Sequence, residues 1–441
     1  MSQDQKTVAK RNYTLPIAIM FALFFMIAFV TGYQNPLGEV IKEMTGGNVV
    51  LSQLGTLANF IAYAFMGYPA GKLLEAKGYR FTALWAVTVG FIGVFITYLS
   101  GLLPVDQTTA VIIYLIGAFV AGFSMCMLNT VVNPMLNSLG RDQKQGNQLV
   151  QFGGTCNSLG ATLAPVIVCG LIGGAASTIS SANPVFYMAM GIFAVAFIVI
   201  FFSKLPESPD LGKKKAGEQP RVADALKYPH LVWGLVAIFC YVGIEVGIAN
   251  WTLQYLTGSA EAISANNPGI GTDPKVVATT IAGTIVGMYW LFMLIGRLCG
   301  GIIGGKVSSR AMLIATSVGA IILTVLGINI GNDYLPFIGF DSSTLSFGTF
   351  NVPTSAILFV CCGLCTSVMW GAIFNLAVEG LGKYTAIASG LFMAMVCGGG
   401  ILPALQGLIA KTSVLSSFWL IAGLTAYLLL YALVLSKPRK A

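Results

Sequence analysis

Gly71-Lys72-Leu73-Leu74-Glu75-Ala76-Lys77-Gly78-Tyr79-Arg80 joins two apolar runs, residues 51–74 and 81–103. Each run is long enough to cross a bilayer, which takes about 20 apolar residues as a helix. So short a charged stretch between two such runs must be a tight turn at a membrane surface. Glycines at both ends shorten it, and its lysines and arginine hold it on the side where basic residues collect. The chain therefore begins as antiparallel spanning helices, and the remaining sequence repeats that pattern.

Further apolar runs fall at 15–41, 108–138, 147–173 and 184–203, then at 229–257, 275–305, 309–331, 353–381, 384–410 and 414–436. Of the 441 residues 56%, about 247, are apolar and only 9% are charged, against roughly 25% charged in soluble domains. No soluble core hides that much apolar surface, whereas about twelve spans absorb it. The 52 glycines suit helices that approach closely. The expected fold is an all-α membrane protein of twelve helices in two six-helix halves, 1–203 and 229–441. A polar linker at 204–228, with Lys213-Lys214-Lys215 and three prolines, separates them. Soluble enzymes and nucleic-acid-binding modules are excluded, so the net charge of +8 reports topology.

With the N-terminus inside, 20 of the 24 basic residues fall in cytoplasmic segments; Lys42, Lys275 and Lys411 lie outside and Arg297 lies within a span. Inverting the chain reverses that ratio, so both termini are expected in the cytoplasm. All nine cysteines sit in apolar stretches, which argues against a disulfide framework. Cys362-Gly363-Leu364-Cys365 has redox-motif spacing but reads as small-residue helix packing. One histidine, His230, excludes an ordinary Ser-His-Asp triad and a multi-histidine metal site. Gly300 to Lys306 has the spacing of a phosphate-binding loop, yet Val307 replaces the hydroxyl residue and the run ends a membrane helix. No cofactor is expected.

The halves repeat one another. Gly67, Gly71 and Lys77 match Gly296, Gly300 and Lys306 at one offset; Asn133, Leu139-Gly140 and Arg141 match Asn375, Leu381-Gly382 and Lys383 at another. Two parallel six-helix repeats point to a transporter with its site near the midplane between them. A carboxylate at membrane depth is a functional hypothesis by default, and Glu245 fits that description. Glu39 lies nearer the outer mouth, and Arg297 and Glu379 nearer the inner ends. The other polar side chains within spans are mostly amides: Gln34, Asn35, Asn129, Asn133, Gln151, Asn157 and Asn375 are candidates for the binding site, with Glu245 and the rings of Trp251 and Trp370. Gln34, Asn129, Gln151 and Trp370 are expected to line one central polar site. Amides both donate and accept, which suits a polyhydroxylated solute.

The turn at Gly71–Arg80 resembles the signature loop of the major facilitator superfamily, with Glu75 in its acidic slot. As a gate, Glu75 is expected near Arg141 or the start of span eleven when the cavity opens outward. Tyr241-Val242-Gly243-Ile244-Glu245, Tyr289-Trp290 with Gly296-Arg297, Met369-Trp370 to Asn375, and Leu402-Pro403 to Gln406-Gly407 resemble the bacterial fucose and glucose/galactose transporters of that superfamily. The resemblance implies a twelve-helix facilitator, a monosaccharide substrate and, usually, cation symport across a bacterial inner membrane. It departs where Asn35 and Asn129 stand in place of family acids in the first and fourth spans. Proton or sodium coupling through Glu245 or Glu39, and uniport, stay open. A facilitator for another small polar solute and a transporter-like sensor are the rival readings. The partners expected are a sugar and the lipid bilayer, with the chain a monomer.

Overall fold

The structure is a computed structural model that describes residues 13–140, 143–172, 178–206, 222–303, 307–330, 333–341, 346–381 and 384–438, without the side chains of 137, 143–148, 151, 341 and 385–387. Among the described residues, eleven helical stretches are long and apolar enough to span a membrane. One of them, Leu51–Leu102, is 52 residues long, which as a straight helix would be about 78 Å, far beyond a hydrocarbon layer of about 30 Å. It does not run straight. Gly78, at φ 84° and ψ 176°, breaks the helix; that φ is open to glycine because it has no Cβ to clash. The quoted turn therefore makes two spans of one stretch, and the total is twelve.

In chain order the helices are α1 Thr14–Gly32, α2 Gln34–Met44, α3 Leu54–Leu102, α4 Gln107–Leu139, α5 Gln143–Ile172 and α6 Asn183–Phe202. Then come short α7 Val222–Ala225, α8 Pro229–Thr257, short α9 Ala260–Asn266, α10 Pro274–Ile303 and α11 Ser309–Asn329. The last are α12 Thr354–Thr366, α13 Met369–Val378, α14 Thr385–Ala394, α15 Gly398–Ala410 and α16 Val414–Leu430. Three spans are built from paired pieces. The first breaks at Tyr33 between α1 and α2, because Pro36 has no N–H and its ring crowds the Gly32 carbonyl. The tenth breaks between α12 and α13, and the eleventh between α14 and α15 at a short 3-10 turn, Met395–Cys397.

An even number of spans puts both chain ends at one end of the bundle, the terminal end. There His230 Nε2 meets the Glu379 carbonyl at 2.9 Å, and Arg80 donates to the Phe201 carbonyl. At the opposite end, Asp106 caps α4: it accepts from the Thr109 backbone N–H at 3.1 Å and the Thr109 hydroxyl at 2.6 Å. Those bonds hold its carboxyl below the usual carboxylate range.

The apolar runs contain no sign of strands, yet β1 Tyr334–Asp341 and β2 Ser346–Pro353 form an antiparallel hairpin between α11 and α12, with Leu335 opposite Val352 and Phe337 opposite Phe350. Phe350 and Val352 are buried, and the Phe337 ring meets Phe292 of α10 edge-on at 6.2 Å between centroids. Asn267 ties the hairpin down by accepting from the Asn351 backbone N–H and donating to the Asn351 carbonyl, both at 2.8 Å. The hairpin is too short and mixed for a hydropathy run to reveal it.

Candidate functional site

The interface between the first six spans and the last six is tight at the end opposite the termini. Asn250 of α8 donates to Gln53 Oε1 at 2.8 Å and lies 3.4 Å from the Thr56 hydroxyl of α3. A Cβ at Gly399 would run into Phe60, and one at Gly400 into the Leu57 backbone, so these glycines let α15 lie directly on α3. Trp251, fully buried, donates its indole N–H to the Pro403 carbonyl at 3.0 Å, and Lys275 reaches Glu43 across the interface at 3.2 Å.

Toward the terminal end the helices separate around a cavity of about 1150 Å³. Its wall runs from Asn35, Thr56 and Asn250 near the closed end to Asn133, Ile302, Ser309 and Asn375. The last four stand at or near helix ends that face the terminal side, so the cavity opens that way. Asn129, Asn157, Glu245, Trp290, Arg297 and Trp370 lie between. Trp370 is braced by edge-on contacts with Tyr241 at 6.2 Å and Phe392 at 5.5 Å, which fixes the attitude of its ring.

Glu245 is not alone. Arg297 of α10 approaches it at 3.6 Å, and both side chains are mostly buried, with 16% and 13% exposure for Arg297 and Glu245. The same guanidinium donates to the Gly154 carbonyl at 2.9 Å and to the Ser158 hydroxyl at 2.8 Å, both on α5. One arginine therefore links the carboxylate of α8 to a helix of the other half. Arg297, which its place along the span puts nearer the inner end, is thus not a lone solvated charge but the partner of Glu245. The signal was present, because a charge inside an apolar span is costly for a cation as for an anion. What was missing was the tertiary approach of α8, α10 and α5.

Of the expected site residues, Asn35, Asn129, Asn133, Asn157, Glu245, Trp370 and Asn375 come together on the cavity wall. Three others lie elsewhere. Gln34 is buried and accepts from the Tyr114 hydroxyl at 2.6 Å, because the break at Tyr33 turns it toward α4. Trp251 is buried within the second half, where its indole is held to the Pro403 carbonyl of α15, off the cavity wall. Glu39 pairs with Lys42 on its own helix at 3.2 Å, away from the cavity. The side chain of Gln151 and all of Arg141 fall outside the described residues. Glu75 is exposed beside Gly78, and Arg141, one of its expected neighbours, falls outside the described residues.

The Major Facilitator Superfamily profile matches residues 19–402. The chain belongs to that superfamily. Across 445 aligned residues it is 27% identical to the glucose/galactose transporter of Brucella abortus, covering 98% of this chain and 97% of that one. It is 22% identical to the L-fucose-proton symporter of Escherichia coli over 93% of this chain and 90% of that one. Among solved structures, the E. coli fucose:proton symporter superposes with a TM-score of 0.66 at 18% identity, over 96% of this chain and 98% of that one. A D-xylose-proton symporter gives 0.68 at 13% identity over 96% and 97%. At such identities the superpositions speak for the fold, and the fold is that of a multi-pass membrane transporter.

Proposed function

We propose that this transporter carries a monosaccharide inward across a bacterial inner membrane by alternating access, with a cation coupled to the sugar. The observation that carries the reading is the cavity: a space between the two halves that opens toward the terminal end, its apolar wall set with amides, indole rings and, among the described residues, one ion pair. A neutral polyhydroxylated solute matches such a wall, because amides serve hydroxyls without placing net charge in the cavity, and flat rings offer a face to a pyranose. The relatives' named substrates, glucose, galactose and fucose, belong to that class. With both chain ends in the cytoplasm, the open end faces inward, and opening the other side requires the Asn250–Gln53 and α15–α3 contacts to part.

Coupling is assigned to Glu245. A proton or a sodium ion on its carboxylate would weaken its hold on Arg297, and Arg297 in turn holds α5 of the other half. The charge state of one residue thereby bears on how the two halves sit. Purified protein in proteoliposomes tests both parts. Counterflow of radiolabelled glucose, galactose or fucose is expected with wild type. Glu245→Gln keeps the shape and removes the charge, so accumulation against a gradient should fail while counterflow persists. No exchange of any hexose by wild type would sink the sugar reading; full accumulation by Glu245→Gln would sink the coupling role.

A further inference from the structure

Three amides of the cavity are not free to turn either way. Asn129 donates from Nδ2 to the Met125 carbonyl at 3.0 Å and to the Tyr63 hydroxyl at 3.2 Å. Asn133 donates from Nδ2 to the Asn129 carbonyl at 3.0 Å, and Asn157 of α5 donates to the Phe24 carbonyl of α1 at 3.1 Å. In each case a partner is a backbone carbonyl, which only accepts. Chemistry therefore fixes the amide: its NH2 must face the backbone, and a flipped side chain would set oxygen against oxygen. The end left over is the carbonyl oxygen, and no donor among the described residues meets it. Arg297 gives both Nη1 hydrogens to Gly154 and Ser158 and faces Glu245 with Nη2, which leaves part of its guanidinium for the solute. Glu245, when ionised, adds another acceptor.

We infer that the cavity recognises its solute chiefly by accepting hydrogen bonds from the solute's hydroxyl groups, through the Oδ1 atoms of Asn129, Asn133 and Asn157. This rests on the sugar reading above and adds the direction of the hydrogen bonds. The donors left on the wall include the indole N–H groups of Trp290 and Trp370 and the remaining N–H groups of Arg297. A solute rich in O–H donors fits; one that offers acceptors in their place does not. The selectivity follows from desolvation, since a cavity carbonyl that loses water and gains no donor stays unmatched.

Monodeoxy and monodeoxyfluoro sugars separate the possibilities, because fluorine replaces a hydroxyl in size and accepts weakly but cannot donate. Each derivative of glucose, galactose and fucose is set to compete with its parent in counterflow by wild-type protein. At positions that meet the asparagines, deoxy and deoxyfluoro forms should bind equally poorly, each about tenfold below the parent. Asn129→Ala, Asn133→Ala and Asn157→Ala, assayed one at a time, should each erase the discrimination at a single hydroxyl. Deoxyfluoro forms that recover the parent's affinity at every position would overturn the inference while leaving sugar transport standing. So would all three variants retaining full discrimination. If no parent sugar exchanges at all, the transport reading itself falls and this inference with it. The wild-type panel decides the matter even where a variant fails to fold.

Discussion

The two ends of the interface between the halves are built from different chemistry. At the closed end, the buried contacts are neutral and close, Asn250 on Gln53 and glycines of α15 against α3, with the exposed Lys275–Glu43 pair at the rim. Around the open cavity, the one direct polar tie between halves among the described residues is Arg297, which carries a charge and shares it with Glu245. Neutral contacts part and reform with little dependence on ions, while a buried ion pair changes when either partner gains or loses charge. The difference suits a carrier in which one end seals and the other senses.

The largest effect is expected at the charged end. Arg297→Gln removes the counterion of a mostly buried carboxylate and two ties to α5, and breaking one member of such a pair costs about 3 kcal/mol. The variant should melt well below wild type in detergent. Glu245→Gln combined with Arg297→Gln should regain much of that loss, because no charge is left unpaired. A double variant no more stable than Arg297→Gln alone would mean that the pair does not carry the effect.

A smaller change should follow at the neutral end. Trp251→Phe removes the bond to the Pro403 carbonyl, worth about 1 kcal/mol, and the cavity should keep its solute affinity. The bond holds α15 to α8 within the second half, and freeing α15 should loosen its packing on α3, so that a cysteine placed near Leu57 becomes more accessible to membrane-impermeant thiol labelling. A large loss of solute affinity instead would return Trp251 to the binding wall, where the sequence reading had it, and erase the contrast between the two ends.

The smallest effect concerns Asp106, outside the interface altogether. Its carboxyl sits below the ordinary range because the capping bonds favour the charged form. The stability it contributes is present above the unfolded carboxylate pKa and is lost as pH falls through the depressed folded value. Asp106→Ala should lower the melting temperature slightly at neutral pH, and the gap from wild type should close in acid. A gap that persists below the depressed value would show that charge is not what the cap supplies.

The twelve spans, their boundaries to within a few residues and the turn at Gly78 were legible because the bilayer imposes a length and an apolarity that one helix must satisfy by itself. Glu245 was legible for the same reason: a charge at membrane depth stands out within its own span. The Glu39–Lys42 pair was within reach too, since three residues on one helix make neighbours. The link from Glu245 to Arg297, across fifty-odd residues of chain, and from Arg297 to α5 was not, because nothing local says which helices meet. Nor could the sequence turn Gln34 and Trp251 away from the cavity. Each is a polar or amphipathic side chain on an apolar helix, and its role depends on which neighbour offers the matching donor or acceptor. Hydropathy acts residue by residue along the chain and can be read there; hydrogen-bond matching is a property of pairs, and only the packed helices decide the pairs.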